Sequence, residues 1–367
     1  MEYQTPQFFH VMQYADAADG DTIDMVSGNP DWEPPAAIRE GLHEYANSDA
    51  ERFQYPPSDG LADLREEIAD RRNVDPDRVI VTNGTGEANY LGMAAGLNGD
   101  RGDGCVLIDP VYPYYPGKAS MLGGETRLVE ANHDGSLDTE ATCAAIDDDT
   151  GVVVLNTPNN PTGAVYDLDA IRAVVETAAD HDALVVVDEV YDHFDFSGEF
   201  ESALTLGADN VVVTSGVSKS MAITGFRIGY AILPSALVDA AKTRHMLVNV
   251  TTSRPAQRAV YEAYQATDPD YYAAARDRLR SRIETFTTAL DAAGAEYTTP
   301  DGAFYVLARF EGTPGTMANV KTLIDEAGVA GMPGATFGTA REDWIRFALV
   351  TPRVEEAAER LADYFAE

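Results

Sequence analysis

The sequence predicts an α/β protein whose large domain has a mostly parallel sheet between helices, accompanied by a smaller α+β domain. Five short, β-branched and continuously apolar runs carry this prediction, at 79–82, 105–108, 152–155, 184–187 and 211–214. Such runs are typical of strands buried on both faces of a parallel sheet. Helical patterns lie between them, for example over 61–72 and over 168–179, where Asp167 is the predicted N-cap.

The C-terminal part has a different pattern. An Arg-rich helical stretch over 269–293 is followed by short strands at 304–307 and 344–348, and a final helix is predicted from about Val354. We expect a large α/β domain over 41–240. The smaller α+β domain is predicted to comprise 241–367 together with 1–40, which returns to it.

Composition narrows the classes of function. The chain has 367 residues, of which 45% are apolar, so it can bury a substantial core. Its 61 acidic and 26 basic residues give a net charge of -35, which argues against nucleic acid and anionic membranes as partners. The acids are spread over the whole chain and only four residues are lysine. This pattern favours a halophilic host, because salt screens such repulsion; an ordinary acidic mesophilic enzyme is the alternative.

Cysteine usage and the N-terminal segment indicate the compartment. Cys105 and Cys143 form no CxxC motif, which argues against a disulfide scaffold and a thiolate zinc site. The six histidines are scattered without metal-ligand spacing, so no metal is expected. The first 25 residues hold four Asp and no Lys or Arg, unlike a signal peptide, and no apolar run approaches the span of a bilayer. We therefore expect a cytoplasmic protein.

Two charged residues, Lys219 and Asp188, follow buried strands at positions where a catalytic or ligand-binding side chain is expected. Lys219 lies in a loop of small residues, Ser-Gly-Val-Ser-Lys-Ser. Alone it could be a solvated loop lysine, but a lysine held among small residues can form a Schiff base with a carbonyl compound. Asp188 follows the strand 184–187, at the edge where ligands of open α/β sheets bind. It could cap a helix or pair with a protonated ring nitrogen, and Tyr191 follows three residues later.

Two tight turns also follow buried strands. In residues 155–163, Leu-Asn-Thr-Pro-Asn-Asn-Pro-Thr-Gly, the prolines and the glycine restrict the backbone, so that Asn160 is rigidly placed to bind an oxygen. Residues 82–88, Thr-Asn-Gly-Thr-Gly-Glu-Ala, lead into a predicted helix whose N-terminus could approach a phosphate. The second turn is not G-x-G-x-x-G, which disfavours a dinucleotide.

In their order and spacing these motifs resemble the fold-type I pyridoxal-phosphate enzymes, in particular the class I and II aminotransferases. The resemblance extends from about Gly28 to Arg346 and rests on Asn-Asn-Pro-Thr-Gly, Asp-Glu-x-Tyr, and Ser-Lys with Gly-x-Arg-x-Gly downstream. It implies a pyridoxal 5'-phosphate-dependent transaminase that moves the α-amino group of an L-amino acid to a 2-oxo acid, usually 2-oxoglutarate. It also implies a homodimer with shared active sites.

The resemblance implies roles around the cofactor ring. Lys219 is implied to hold the cofactor as an internal aldimine and to serve as the general base. Asp188 would pair with the pyridine nitrogen. Asn160 and Tyr191 would bond the phenolic oxygen of the ring, and Tyr112, in Asp-Pro-Val-Tyr-Pro, would stack on its face.

A second implied set surrounds the phosphate. It comprises Gly84, Thr85, Gly86, Ser218 and Arg227. One position departs from the family pattern, because many members have a serine three residues before the lysine and this chain has Gly216. Ser215 or Ser218 could replace the missing hydroxyl. Tyr55 matches the tyrosine that the family lends across a dimer interface to the phosphate of the partner subunit.

Arg346, in Trp-Ile-Arg-Phe, matches the family's fork for the substrate α-carboxylate, a role that suits the paired donors of a guanidinium. Asn160 would help it, and Gly28 fits the loop that closes over the substrate. The motifs leave a pyridoxal-phosphate lyase or decarboxylase open as the alternative, since such enzymes keep the same cofactor residues. A cofactor-sensing DNA-binding regulator is disfavoured because the chain has no basic segment.

The side-chain specificity stays open at this point. A dicarboxylic substrate would require a second arginine, which Arg244, Arg254 or an arginine of the partner subunit could supply. An aromatic substrate would suit Phe8, Phe9 and Tyr14, if the N-terminal segment folds over the site.

Overall fold

The structure is a computed structural model, and it describes residues 7–18, 20–97, 101–298 and 300–366. The strands in these residues are β1 Ile23–Asp24, β2 Val79–Asn83, β3 Gly104–Asp109, β4 Glu125–Glu130, β5 Thr150–Asn156, β6 Leu184–Asp188, β7 Val211–Gly216, β8 Ile228–Ile232, β9 Glu296–Tyr297, β10 Tyr305–Arg309, β11 Val329–Ala330, β12 Met332–Pro333 and β13 Ile345–Ala348. The α-helices are α1 Gln7–Ala17, α2 Ala36–Ala46, α3 Ala62–Arg72, α4 Thr85–Leu97, α5 Tyr114–Met121, α6 Thr139–Ala144, α7 Leu168–Asp180, α8 Val238–Asn249, α9 Arg254–Ala266, α10 Pro269–Ala292, α11 Met317–Ala327 and α12 Val354–Ala366.

The central sheet has seven strands in the order β2-β8-β7-β6-β5-β3-β4. Every neighbouring pair from β7 to β4 is parallel, whereas β8 runs antiparallel to both β2 and β7. The predicted mostly parallel sheet between helices is therefore confirmed. All five predicted buried runs are strands of this sheet.

The sheet separates two apolar cores, and side-chain alternation along β5 shows why its sequence is continuously apolar. Val153 and Leu155 pack into the core that α7 covers, whereas Val152 and Val154 pack into the core on the α4 side. Successive side chains of a strand point to opposite faces. Both faces of β5 must therefore be apolar, and all seven of its residues are buried.

A smaller antiparallel sheet, in the order β12-β13-β10-β9, lies in the C-terminal part of the chain. The N-terminal segment reaches the same region, since β1 pairs in parallel with β11 and Val11 of α1 is buried in the core that α11 and α12 share. The predicted division into 41–240 and 241–367 with 1–40 stays a prediction.

The predicted helices agree closely with the observed ones. The Asp167 carboxylate caps α7, accepting from the backbone N–H of Asp169 at 2.7 Å and of Ala170 at 3.2 Å. Within the described residues, no helix combines the length and apolar character needed to cross a membrane. In the same part of the chain, no group of three or more His, Cys, Asp or Glu side chains could hold a metal ion, and Cys105 and Cys143 are unpaired.

Candidate active site

A cavity of about 550 Å³ lies at the carboxyl ends of the central strands. This edge is where open α/β sheets bind ligands. The predicted site residues that line the cavity are Gly28, Thr85, Gly86, Tyr112, Asn160, Asp188, Tyr191, Ser218, Lys219, Arg227 and Arg346. Gly84 lies against the Arg227 guanidinium, which lines the cavity, and Tyr55 lies outside the cavity of its own chain with 81% of its surface exposed.

The amine of Lys219 donates a hydrogen bond to the carbonyl oxygen of Gly28 at 2.7 Å. Burial, together with the positive charges of Arg346 and Arg227, lowers the pKa of Lys219 from 10.5 to about 8. At pH 7 about a tenth of such amines is neutral, several hundred times the fraction for an ordinary lysine. A side chain at position 28 would overlap the Tyr305 hydroxyl, so only a glycine allows the backbone at this position to lie so close to Tyr305 and Lys219.

Asp188 ends β6 and is buried against three hydrogen-bond donors. Its Oδ2 accepts from Asn89 Nδ2 and from the Tyr115 hydroxyl, both at 2.7 Å, and its Oδ1 accepts from the backbone N–H of Val190 at 3.1 Å. Burial raises the pKa of Asp188, while the Tyr115 and Asn89 hydrogen bonds act in the opposite direction. The Thr214 hydroxyl holds Asn89 in turn, at 2.5 Å.

Sequence reasoning missed Asn89 and Tyr115. A signal for Asn89 existed, because it is a polar residue four positions after Thr85 on a helix whose other buried residues are mostly small or apolar. For Tyr115 the signal was weaker, since it is one of three tyrosines in the run 112–115. Tyr112 packs edge-on against Tyr115, with ring centroids 5.4 Å apart, and lines the cavity as predicted.

Arg346 lies in β13 and has no carboxylate partner among the residues that the structure describes. Its Nη1 donates to Asn160 Oδ1 at 3.1 Å and its Nη2 to the Val26 carbonyl at 2.5 Å, whereas Nε is buried without a hydrogen-bond partner. The guanidinium lies 4.5 Å from the ring centre of Tyr305 and 4.9 Å from that of Phe337. A buried cation without an anion is costly, so this group is suited to receive a carboxylate from a ligand.

The Tyr191 and Tyr305 hydroxyls are 3.0 Å apart, both at the cavity. Tyr191 lies one turn beyond Asp188, as the Asp-Glu-x-Tyr spacing requires. Burial raises the pKa of each phenol, so both stay protonated and available as hydrogen-bond donors at neutral pH.

We define an anion cradle as Gly84, Thr85, Ser218 and Arg227, of which the last three line the cavity and Gly84 lies against Arg227. The Thr85 and Ser218 hydroxyl oxygens are buried and have no hydrogen-bond partner within the described part of the chain. Arg227 Nη1 donates to the Thr224 carbonyl at 3.0 Å and Nη2 to the Asn83 carbonyl at 3.2 Å. A side chain at Gly84, where φ is +76°, would overlap the Arg227 guanidinium.

The structure explains the glycine that departs from the family pattern. A Cβ atom at Gly216 would stand 2.7 Å from the Thr85 hydroxyl, so a larger residue there would disturb the cradle. Of the two serines that could compensate, Ser215 donates away from the cavity, to the Glu189 carbonyl at 3.3 Å. Ser218 lines the cavity and has an unsatisfied hydroxyl.

A buried ionic cluster lies behind the Asp188–Tyr191 turn. Arg72, the last residue of α3, donates to Glu189 Oε2 at 3.2 Å, to Asp192 and to the Tyr230 hydroxyl at 2.9 Å. Glu189 is fully buried, and burial raises its pKa to about 7 although Arg72 opposes the change. Arg72 thus binds Glu189 and Asp192, the residues that directly follow Asp188 and Tyr191. The sequence motifs gave no sign of this contact.

Comparison with known proteins identifies the family. The family model for class I and II aminotransferases matches residues 20–361. The chain is 31% identical over 353 residues to a probable aspartate/prephenate aminotransferase from Thermus aquaticus, covering 93% of this chain and 91% of the relative. It is 30% identical over 366 residues to an aspartate aminotransferase from Bacillus subtilis, covering 94% and 91%.

Solved structures agree with this similarity. The aspartate aminotransferase of Thermus thermophilus with maleate superimposes with a TM-score of 0.89 at 30% identity, over 98% of this chain and 97% of that one. The Thermotoga maritima aspartate aminotransferase gives 0.90 at 26% identity, over 100% and 98%. The fold-type I resemblance is therefore confirmed, and the chain belongs to the class I and II aminotransferases.

Proposed function

We propose that this aminotransferase moves the α-amino group of an L-amino acid to 2-oxoglutarate, using pyridoxal 5'-phosphate bound through Lys219. The single observation that carries the proposal is that Lys219, Asp188 and three residues of the anion cradle line one cavity. An amine of low pKa and a buried carboxylate are what carbonyl chemistry on a pyridine ring requires.

The residues present fit this cofactor. The cradle offers two unpartnered buried hydroxyls, an arginine and the N-terminus of α4, a combination suited to a phosphate dianion. Gly84 and Gly86 leave room for backbone approach. Asp188 offers a carboxylate to a ring nitrogen, Asn160 and Tyr191 offer donors to the phenolic oxygen, and Tyr112 offers an aromatic face.

When bound, the cofactor supplies an electron sink for the pair left on the substrate Cα after its proton is removed. Lys219 removes that proton and later returns it, a role suited to an amine whose pKa is about 8. The hydrogen bonds from Asn89 and Tyr115 favour the ionised form of Asp188 against the effect of burial, and that carboxylate would keep the ring nitrogen protonated.

The substrate α-carboxylate binds Arg346, which has a free Nε donor and holds Asn160. The planar guanidinium of Arg346 is held in place, so its hydrogen bonds to the carboxylate would orient the substrate and therefore its Cα–H bond. Gly28, whose carbonyl accepts the Lys219 hydrogen bond, is proposed to belong to the loop that closes over the substrate. Holding the reacting groups in this geometry can lower the barrier by roughly 7–11 kcal/mol at best.

We also propose a homodimer in which Tyr55 reaches the phosphate of the partner subunit. Apolar side chains that are 46–81% exposed form a surface that we call the dimer patch: Phe53, Tyr55, Met246, Leu247, Val248 and Val250. Its two segments are joined, since the Thr251 hydroxyl donates to the Pro57 carbonyl at 2.9 Å. Exposed apolar patches of this kind mark association surfaces. Light scattering of Leu247→Asp tests the proposal: monomers are expected, and an unchanged dimer would contradict it.

The acidic surface supports a halophilic host. With 61 acids against 26 bases, much of the charge has no opposite partner on the chain. Screening by molar salt relieves this repulsion. The cytoplasmic location predicted from the sequence stays a prediction.

The reaction is tested with ¹⁵N-labelled amino acids and 2-oxoglutarate, in molar KCl and with added pyridoxal 5'-phosphate. We expect the label in glutamate, detected by NMR, and no net ammonia. Release of ammonia or carbon dioxide without an acceptor would instead establish a lyase or a decarboxylase on this fold.

A further inference from the structure

We propose that the amino donor of this enzyme is an L-amino acid with a large aromatic side chain and a single carboxylate, and that Phe8 is a specificity-determining residue. This proposal rests on the proposed function. The relatives named above are aspartate aminotransferases and a probable aspartate/prephenate aminotransferase, and aspartate has a second carboxylate. The part of this cavity that would contact the substrate side chain is aromatic and apolar rather than cationic.

The surroundings of Arg346 determine which surface a substrate meets next to its bound carboxylate. Its guanidinium stands over the rings of Tyr305 and Phe337, and Met332 pairs with it across β12 and β13. A substrate whose carboxylate binds Arg346 therefore has aromatic and thioether surface beside it. Phe8 and Thr336 also line this cavity.

Phe8 is carried by α1, and several contacts fasten this helix. The Thr336 hydroxyl donates to Gln7 Oε1 at 3.0 Å, Val11 is fully buried in the C-terminal core, and the Tyr14 hydroxyl donates to Asp325 at 2.7 Å. Of the three aromatic residues that the sequence suggested for an aromatic substrate, the structure places Phe8 on the cavity. Phe9 points outward with 47% of its surface exposed, and Tyr14 is engaged away from the site.

Within one subunit, the described cations that line the cavity provide no counterpart for a second carboxylate. All 26 lysines and arginines fall among the described residues, and of these Lys118, Lys219, Arg227 and Arg346 line the cavity. Three of the four have proposed roles toward the cofactor or the α-carboxylate.

Lys118 lies on the Asp188 side of the cavity. Its amine stands 5.5 Å and 5.8 Å from the ring centres of Tyr114 and Tyr115, and the Tyr115 hydroxyl bonds Asp188. Burial lowers the pKa of Lys118 to about 8, opposed by the charge of Asp188. This amine therefore belongs to the surroundings of Asp188 rather than to those of Arg346.

The two arginines that sequence reasoning offered for a second carboxylate are both outside the cavity. Arg244 donates to the Tyr90 hydroxyl at 3.2 Å on a separate surface pocket. Arg254 donates to the Gln54 carbonyl at 3.0 Å and so stays attached to its own chain beside the dimer patch.

Binding is measured first, with acids that lack an amino group. The holoenzyme is titrated with 3-phenylpropionate and with succinate by calorimetry, and the expected dissociation constant is at least about tenfold lower for 3-phenylpropionate. Phe8→Ala should remove most of this difference, whereas Phe9→Ala should preserve it. Tighter binding of succinate, or equal effects of Phe8→Ala and Phe9→Ala, would overturn the proposal.

Turnover is then compared for phenylalanine, alanine and aspartate as donors. We expect kcat/KM to be highest for phenylalanine and Phe8→Ala to lower it about tenfold relative to alanine. A selective loss of aspartate turnover in Lys118→Met, or a preference for aspartate in the parent enzyme, would overturn the substrate class while leaving the transaminase function intact. Amino-group transfer from none of a full set of donors would instead refute the proposed function.

Discussion

Replacing Arg72 with methionine should destabilise the protein far more than a typical surface arginine substitution. The side chains of Arg72 and Glu189 are 12% and 0% exposed, so Arg72→Met leaves a buried carboxylate without its cation. Breaking a buried ion pair from one side costs about 3–5 kcal/mol. The adjacent Arg71 is the matched control: it is 42% exposed and pairs with Glu67 one turn away, so Arg71→Met should cost about 1 kcal/mol.

The pH dependence makes this prediction specific to Glu189. Its folded-state pKa of about 7 lies above the ordinary 4.5, so the folded protein binds the extra proton and loses stability as pH rises between these values. In Arg72→Met the folded pKa rises further, because a neighbouring positive charge is gone. The variant should therefore lose about 1 kcal/mol more than the parent between pH 7 and pH 8.

The assay is urea unfolding at fixed salt and cofactor concentration. The double variant Arg72→Met/Glu189→Gln should recover part of the stability, because Glu189 no longer leaves a buried charge while Asp192 still loses its cation. It should also lose the extra pH dependence, which comes from Glu189. Equal unfolding free energies for Arg72→Met and Arg71→Met at both pH values would refute the reasoning.

Three further outcomes are expected. Asp188→Asn should keep the fold and bind cofactor but lower the single-turnover rate of Cα proton removal by roughly 10²–10³-fold, and a near-parent rate would contradict the role of its charge. Gly84→Ala should weaken cofactor binding at least about tenfold, measured by fluorescence titration, because the new methyl displaces Arg227; Gly117→Ala, where a Cβ meets open space, is the control, and equal dissociation constants would disprove the effect. Thermal unfolding midpoints should rise with KCl into the molar range, whereas a maximum without salt would remove the halophilic proposal.

Much of the fold could be predicted from local patterns. A strand such as β5, buried on both faces, must be apolar at every position and is therefore visible in the sequence. The edge strand β4 is mostly exposed and contains charged residues, so its sequence has no continuous apolar run. The five residues of β8 include a glycine, which interrupts the β-branched pattern. Their pairing is set by the tertiary structure, which local patterns do not encode.

The candidate site likewise combines residues that local motifs predict with residues that come from distant parts of the chain. Lys219, Asp188 and Asn160 each follow a strand within a short motif, and the structure brings them to one cavity. Asn89 and Arg72 reach the Asp188 turn from helices 99 and 120 positions away in sequence, as their hydrogen bonds to Asp188 and Asp192 record. Contacts of that range depend on how helices pack against the sheet, so a single sequence gives no local sign of them.

The most direct test of the central claim is to reduce the holoenzyme with borohydride and locate the pyridoxyl group by peptide mass spectrometry. The chain has only four lysines, so the result is unambiguous. We predict the modification on Lys219 and its loss in Lys219→Ala. Modification of Lys118, Lys242 or Lys321 in place of Lys219 would contradict the account.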